Sequence, residues 1–359
     1  MRSARIVAGL LGLLVGTGAH DTVSSQEPDA TASVVGDTLA LFASHDPLDI
    51  ALTADFEALR RDRRESPDRP ALLTTPTLDG ERANVAAELR TRGEFRLDRS
   101  NCAFPPLRID VDGSDARGTV FEGQDELKIV SSCRPGRDDY EQFVLKEYLA
   151  YRSFGIVTAQ SFQVRLLRLT LVDTGEETER ETRAAFVIED DDALAGRLGA
   201  AIFDLGEGQN LPTAAFDPVS SMTAAVFQYM IGNPDWSDVA GHNVDILDRG
   251  GGALALPYDF DFSGVVDAPY ATPPPEYGRA SVRDRYYRGW CANPPITRLV
   301  LQRFREARDE IMALWNTFPG LTDETRRRAV RYLEEFFDAI ETGDRAQRRF
   351  LRDCRSLPN

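Results

Sequence analysis

The sequence predicts an α+β protein in which a β-rich N-terminal part is followed by a mainly helical C-terminal part. Between residues 72 and 130, short segments of alternating apolar and polar residues are separated by turn-forming residues, which is typical of an antiparallel sheet of four or five strands. Residues 296–318 and 322–341 carry apolar residues at helical spacing. The two patterns occupy different halves of the chain, which indicates segregated strands and helices.

Length and charge limit the possible partners. A chain of 359 residues is long enough to bury a large core. Its formal net charge of −16 argues against nucleic acid and against an anionic membrane surface as partners, because both require a basic face. Nothing in the composition indicates an oligomer, so a monomer is expected.

The first residues read as an export signal. Residues 1–19 combine a basic start, an apolar run at 6–15 and a small-residue cleavage site. The run is too short to span a bilayer, so stable membrane insertion is not expected. The small polar residues 20–45 read as a flexible leader, and the mature protein is expected to be secreted or periplasmic.

Four cysteines in an exported chain predict two disulfides. Three pairings are possible. Pairing Cys102 with Cys133 and Cys291 with Cys354 is favoured, because each bond would then staple one end of the chain locally.

The N-terminal part carries one notable lysine. A strand from residue 47 is followed by a short charged helix beginning at Asp55, and the strands of residues 72–130 come next. In the last of these strands Leu127 and Ile129 share one face, and Lys128 points to the other. A lysine in mid-strand is usually solvated, and a functional role is the alternative.

The clearest helix covers residues 139–154, with Asp138 or Asp139 as its N-cap. Glu147 falls in the middle of its apolar stripe and therefore needs a partner. Lys128 is the obvious candidate, while a purely structural ion pair or a position at the edge of the stripe is the alternative.

Two further strands and four helices complete the pattern. Residues 161–172 and 184–188 read as a hairpin, and the acidic run 189–192 reads as the cap of a helix rather than a metal site. Helices are expected from Pro218, over 296–318 and from a Thr322 cap.

The stretch from Met230 to Gly264 concentrates polar side chains among apolar and aromatic ones. These polar residues are Asp235, Asp238, His242, Asn243, Asp245, Asp259 and Asp261. Oxygen ligands suit a hard cation such as Mg²⁺ or Mn²⁺, usually completed by substrate phosphates. The stretch therefore predicts a metal–phosphate site.

The order of these parts is the layout of a two-lobed protein-kinase-like fold. A β-rich N-lobe over 46–192 carries Lys128 and Glu147, and a helical C-lobe over 193–359 carries the acidic stretch. Phosphoryl transfer demands a lysine on the phosphates, a carboxylate for the acceptor hydroxyl, and an asparagine and an aspartate on the metal.

Five segments carry a resemblance to the CotH-like family of secreted atypical kinases, named for spore coat protein H. They are RTRGEFRL (90–97), ELKIV (126–130), LKEYLAYRSF (145–154), YMIGNPDWS (229–237) and LPYDFDFSG (256–264). The resemblance covers roughly residues 80–265. It implies an exported kinase that uses ATP and Mg²⁺ or Mn²⁺ to phosphorylate a protein hydroxyl.

The resemblance also implies a role for each matching residue. Lys128 would contact the nucleotide phosphates, with Glu147 as its ion-pair partner, and Asp235 would position the acceptor. The implied metal ligands are Asn243, Asp259 and Asp261, and the backbone of Ile188 and Glu189 would meet adenine.

Two departures leave alternatives open. Asn243 follows Asp235 by eight positions instead of the usual five, so Asp238 could replace one of them. No GxGxxG loop is present, and the only nearby glycines that could cover phosphates lie at 91–93 and 118–123. His242 could orient Asp235, bind phosphate or make a structural hydrogen bond.

Three other functions remain compatible with the sequence. The chain could transfer AMP on the same scaffold, or it could be an inactive kinase-like binding or assembly protein of the cell envelope. A metal-dependent hydrolase using Asp235, Asp259 and Asp261 would leave Lys128 and Glu147 unexplained.

Overall fold

The computed structural model describes residues 39–356, with the exception of 135, 176–179 and 207. The predicted signal peptide and residues 20–38 of the predicted leader lie outside the described residues. No helix in the described part of the chain combines the length and the apolar character that a membrane crossing requires.

Seven strands close into a barrel in the order β1-β2-β3-β4-β5-β7-β6. Neighbouring strands are antiparallel except β1 and β6, which pair in parallel with Leu48 opposite Leu167 and so close the barrel. The strands are β1 (Leu48–Ala54), β2 (Arg69–Pro76), β3 (Arg82–Thr91), β4 (Leu107–Val111), β5 (Glu126–Ser131), β6 (Val164–Asp173) and β7 (Arg180–Ile188).

Alternation along the strands separates the barrel interior from its outer face. In β5, Leu127 and Ile129 are buried with the interior residues, whereas Val130 belongs to the core outside the barrel. The predicted alternation around Lys128 is thereby confirmed, and Lys128 lies on the outer face.

A small antiparallel sheet and most of the helices lie outside the barrel. The sheet has the order β10-β9-β8, with β8 (Ala201–Ile202), β9 (Val244–Asp248) and β10 (Ala253–Pro257). The helices are α1 (Phe56–Arg61), α2 (Asp138–Val157), α3 (Asp191–Leu198), α4 (Pro218–Ile231), α5 (Pro294–Thr317), α6 (Asp323–Glu341) and α7 (Gly343–Asp353).

Most of the predicted helix starts are confirmed by their caps. The side chains of Asp55, Asp190 and Thr322 accept hydrogen bonds from backbone N–H groups of α1, α3 and α6, which satisfies donors that the helices leave unpaired. The predicted cap of α2 is wrong, because that helix follows Arg137 without a side-chain cap.

The predicted two-lobed kinase-like fold is wrong. The N-terminal strands form a closed seven-stranded barrel. Phe186 and Ile188 of its outer face share one continuous hydrophobic core with residues such as Phe227 of α4 and Phe260 after β10. The closure depends on pairing between segments far apart in the chain, which local alternation does not reveal.

Both favoured disulfides are present. Cys102–Cys133 joins the loop before β4 to the end of β5, and Cys291–Cys354 joins the segment before α5 to the end of α7. Two disulfides fit a secreted protein, since such bonds persist in oxidising compartments.

Candidate functional site

A cavity of about 750 Å³ brings together seven of the residues that the sequence singled out. These are Lys128, Asp235, His242, Asn243, Asp245, Asp259 and Asp261. The cavity lies where the outer face of β5 and the loop after β3 meet the β9–β10 hairpin.

The hairpin places Asn243 and Asp259 side by side at its open end. Val244 pairs with Pro257 at this end, and the N–H of Tyr258 donates to the carbonyl of Asn243 at 3.1 Å. Asn243 and Asp259 both adopt left-handed backbone conformations, with φ of 51° and 55°. Strained conformations of this kind in non-glycine residues cluster at functional sites.

A short turn closes the eight-residue spacing between Asp235 and Asn243. Ser237 and His242 exchange backbone hydrogen bonds of 2.8 and 2.9 Å, which folds the intervening residues outward. As a result, the Asn243 Nδ2 atom donates to the Asp235 carbonyl at 2.8 Å and to its Oδ2 at 3.1 Å. The unusual spacing therefore does not separate the two side chains.

His242 orients Asp235. Its Nε2 lies 2.8 Å from Oδ1 of Asp235, and this hydrogen bond raises the pKa of the imidazole. Each oxygen of the Asp235 carboxylate thus has one donor, and a carboxylate can accept further hydrogen bonds. Asp235 is held in place while its side chain stays partly exposed to the cavity.

Asp238 is structural and does not substitute for Asp235 or Asn243. It is buried and accepts hydrogen bonds from the Ser221 hydroxyl at 2.9 Å and from the Trp290 indole at 3.1 Å. These bonds tie the loop to α4 and to the segment before α5.

Lys128 pairs with Asp191, so the predicted pair with Glu147 is wrong. Its Nζ lies 2.6 and 2.7 Å from the two carboxylate oxygens of Asp191, the first residue of α3. The physical reason is strand register. Lys128 lies opposite Ile188 at the end of β7, and the chain reaches Asp191 only three residues later.

Asp245 borders the same end of the cavity and is partly buried. Burial, with the neighbouring Asp191 carboxylate as the next cause, raises its pKa to about 7. Lys128 therefore lies near two carboxyl groups, those of Asp191 and Asp245. Of these, Asp245 readily holds a proton.

Glu147 is buried against Arg96 instead. The Arg96 guanidinium lies 3.6 Å from Glu147, and its Nε donates to Asp261 at 3.1 Å. Burial raises the pKa of Glu147 to about 8. Arg96 therefore occupies the Asp261 carboxylate, which was predicted to be a metal ligand.

Arg92 is a candidate site residue that the sequence reasoning missed. It lines the cavity just after β3, and its Nε is buried without a hydrogen-bond partner among the described residues. Burial lowers its pKa, yet a guanidinium stays charged in proteins. Its position directly before Gly93, in a segment proposed to cover phosphates, could have indicated this role.

Ile188 and Glu189 do not offer their backbone to a ligand. The β7 strand that ends at Ile188 is paired on both sides, and the N–H of Glu189 donates to the Gln163 carbonyl at 2.9 Å. The Glu189 carboxylate is buried and paired with Arg197 at 2.7 Å. These contacts occupy the backbone N–H and the carboxylate of Glu189, which argues against the predicted adenine contact at that residue.

The oxygen atoms at the open end of the hairpin suit a hard cation that takes few of its ligands from the protein. Because the Asn243 side chain donates through Nδ2, its Oδ1 atom remains available as a ligand. Partial desolvation inside the cavity and the nearby Asp261 raise the pKa of Asp259 to about 6, although its side chain is still 44% exposed, so a cation there would relieve an unfavourable charge. Mg²⁺ is commonly held by one or two carboxylates together with phosphates. The described residues contain no cluster of three or more His, Cys, Asp or Glu side chains arranged for a metal.

No model of a protein family matches the sequence, and no curated protein matches it. What distinguishes this cavity is its lining, which combines the cationic side chains of Arg92 and Lys128 with the acid and amide side chains of Asp235, Asn243 and Asp259.

Proposed function

We propose that the protein transfers the γ-phosphoryl group of ATP, bound with Mg²⁺ or Mn²⁺, to a hydroxyl group of a protein substrate. One observation carries the proposal: Arg92 and Lys128 line the same cavity as Asp235, Asn243 and Asp259. Phosphoryl transfer needs cations for the phosphate oxygens, oxygen ligands for a metal and a carboxylate for the acceptor. The resemblance to CotH-like secreted kinases supports the same chemistry.

The phosphate-binding side would consist of Arg92 and Lys128. Arg92 brings a guanidinium with a free donor, which suits the geometry of phosphate oxygens. Lys128 is held by Asp191 and lies 5.7 Å from the centre of the Tyr258 ring, so its direction is fixed. Both would stabilise negative charge as it shifts toward the leaving group.

On the opposite side, Asn243 and Asp259 would hold the metal, which neutralises phosphate charge when bound. Asp235 would accept the proton of the acceptor hydroxyl as that oxygen bonds to the γ-phosphorus and ADP departs. His242 keeps the Asp235 carboxylate aimed at the cavity. Arg96 would act as a positioning residue, since it joins Glu147 on α2 to Asp261 beside the metal ligands.

The nucleotide base would meet an aromatic wall rather than the end of β7. Phe95 and Phe262 line the cavity with ring centres 5.2 Å apart. Phe95 is 42% exposed, so part of its ring is available for stacking with a planar base.

The decisive experiment incubates the disulfide-bonded protein with Mn²⁺ or Mg²⁺ and ATP labelled at the γ-phosphate, with casein as acceptor. We expect labelling of casein or of the protein itself, and a loss of at least about 100-fold in Asp259→Asn. Asp248→Asn is the matched control, because Asp248 lies in the same hairpin but is exposed and outside the cavity.

Two parallel assays distinguish phosphoryl transfer from the alternative reactions, AMP transfer and hydrolysis. Label at the α-phosphate reports AMP transfer, and release of nitrophenol from nitrophenyl phosphate reports hydrolysis. If ATP neither labels any protein nor raises the melting temperature of the wild-type chain with either metal, the proposal is wrong.

A further inference from the structure

A second cavity, of about 330 Å³, lies away from the candidate site between α4, the segment of residues 279–287 and α7. Its floor is aromatic and buried: Tyr229, Tyr287 and Phe350 are each at most 6% exposed. Their ring centres lie 4.7 to 6.0 Å apart in edge-to-face contacts. The floor is therefore rigid, and the small part of these rings that stays exposed lines the cavity as an apolar surface.

Three arginines surround this floor. Arg285 is fixed from below, because its Nε donates to the Met230 carbonyl at 3.1 Å. Arg279 and Arg349 are exposed at the rim. They are oriented by rings, with the Arg349 guanidinium carbon 5.7 Å from the centre of Tyr229.

The positive charge of this cavity is only partly balanced by the protein: Arg285 lies 3.4 Å from Glu335, which is outside the cavity. Among the lining residues that the structure describes, Asp353 is the single carboxylate, and it lies 3.8 Å from Arg349 and 2.7 Å from Arg352 outside the cavity. No carboxylate among the described side chains lies within 4.0 Å of Arg279. In a chain with a net charge of −16, this convergence of guanidinium groups favours an anion.

The disulfide Cys291–Cys354 holds the walls of the cavity together. It joins the end of α7 to the segment that follows Tyr287, and the backbones of Trp290 and Arg355 pair beside it. The exported, oxidised chain therefore presents this cavity preformed, which lowers the cost of binding.

We infer that this cavity binds a small planar anion, with a ring on the floor of Tyr229, Tyr287 and Phe350 and a phosphate or carboxylate group between Arg279 and Arg349. Its volume is at the lower end of the range for small-molecule sites, which limits the ligand to about the size of a nucleoside monophosphate. The inference does not rest on the proposed phosphoryl transfer.

Calorimetric titration with AMP tests this site, with Arg279→Gln/Arg349→Gln as the site variant. We expect its affinity for AMP to fall by about tenfold or more, because each lost guanidinium removes charge-assisted hydrogen bonds. Arg345→Gln/Arg348→Gln is the matched control, since it removes the same two charges from exposed positions of α7 outside the cavity. The control should keep the wild-type affinity.

Arg92→Gln distinguishes this cavity from the candidate site. Binding of AMP in the second cavity should be unchanged in Arg92→Gln, whose substitution lies in the other cavity. The inference is overturned if the double variant binds AMP as tightly as the wild type, if only Arg92→Gln weakens binding, or if the wild type shows no binding at millimolar AMP.

Discussion

Replacing Lys146 with methionine should stabilise the protein in a pH-dependent way. Lys146 lies on α2 next to Glu147, is 7% exposed, and donates to the carbonyl of Val266 in the segment that follows Asp261. Burial lowers its pKa from 10.5 to about 7. Asp267 opposes this shift, and two nearby arginines add to it.

The size of the effect follows from the difference between the two pKa values. A fall from 10.5 to about 7 corresponds to a cost of about 5 kcal/mol for keeping the lysine charged in the folded state. Between these pH values the unfolded chain binds more protons than the folded one, so stability rises with pH. The full cost applies below pH 7, and it disappears above about pH 10.5.

Lys146→Met removes this cost but leaves the Val266 carbonyl without its donor, which costs about 1–3 kcal/mol. We therefore expect the variant to be more stable than the wild type by about 2–4 kcal/mol at pH 6. At pH 9 this advantage should shrink by about 3 kcal/mol, because most of the lysine has already lost its proton in the folded state.

Urea unfolding followed by tryptophan fluorescence at pH 6 and pH 9 measures both values. Arg298→Met is the control, because Arg298 is an exposed cation on α5 and its loss should change little at either pH. Equal stability differences between Lys146→Met and the wild type at the two pH values would refute the reasoning, as would a variant less stable at pH 6.

Three further predictions concern the site and its surroundings. Arg92→Met should weaken ATP binding by about tenfold, because a guanidinium is lost from the phosphate-binding side. It should also raise the melting temperature, because a buried donor without a partner is removed. Unchanged affinity in a fluorescence titration would contradict the first expectation. Asp191→Asn should lower the pKa of Asp245 from about 7, since a neighbouring negative charge is lost while burial remains. Carbon-13 NMR titration of the Asp245 carboxyl group measures this pKa, and an unchanged value would show that burial acts alone. Gly264→Ala should destabilise the fold by about 1–3 kcal/mol, because the new methyl group would lie 2.7 Å from a backbone carbonyl oxygen. Gly196→Ala, with open space around it in α3, should instead stabilise by about 0.5–1 kcal/mol, and a similar result for both variants in urea unfolding would argue against the packing account.

The sequence by itself determined the local structure and the chemical content of the site. Periodicity located α2, α4, α5 and α6, and the alternation around Lys128 placed Leu127 and Ile129 on one face of their strand, which the structure shows to be the barrel interior. These features depend on neighbouring residues, whose geometry a strand or helix fixes. The concentration of polar groups between Met230 and Gly264 likewise identified Asp235, Asn243 and Asp259 as cavity residues.

Only the tertiary structure decided how these parts combine. The parallel pairing of β1 with β6 closed the barrel, although nothing in either segment specifies its distant partner. Strand register places Lys128 beside Asp191, so these two residues form an ion pair. The loop after β3 places Arg96 beside Glu147. A buried charge takes whichever opposite charge the packing brings within reach, because leaving it unpaired in a low dielectric is costly. Ion-pair partners therefore depend on the three-dimensional arrangement, whereas residue types and their spacing along the chain indicate only which charges will need one.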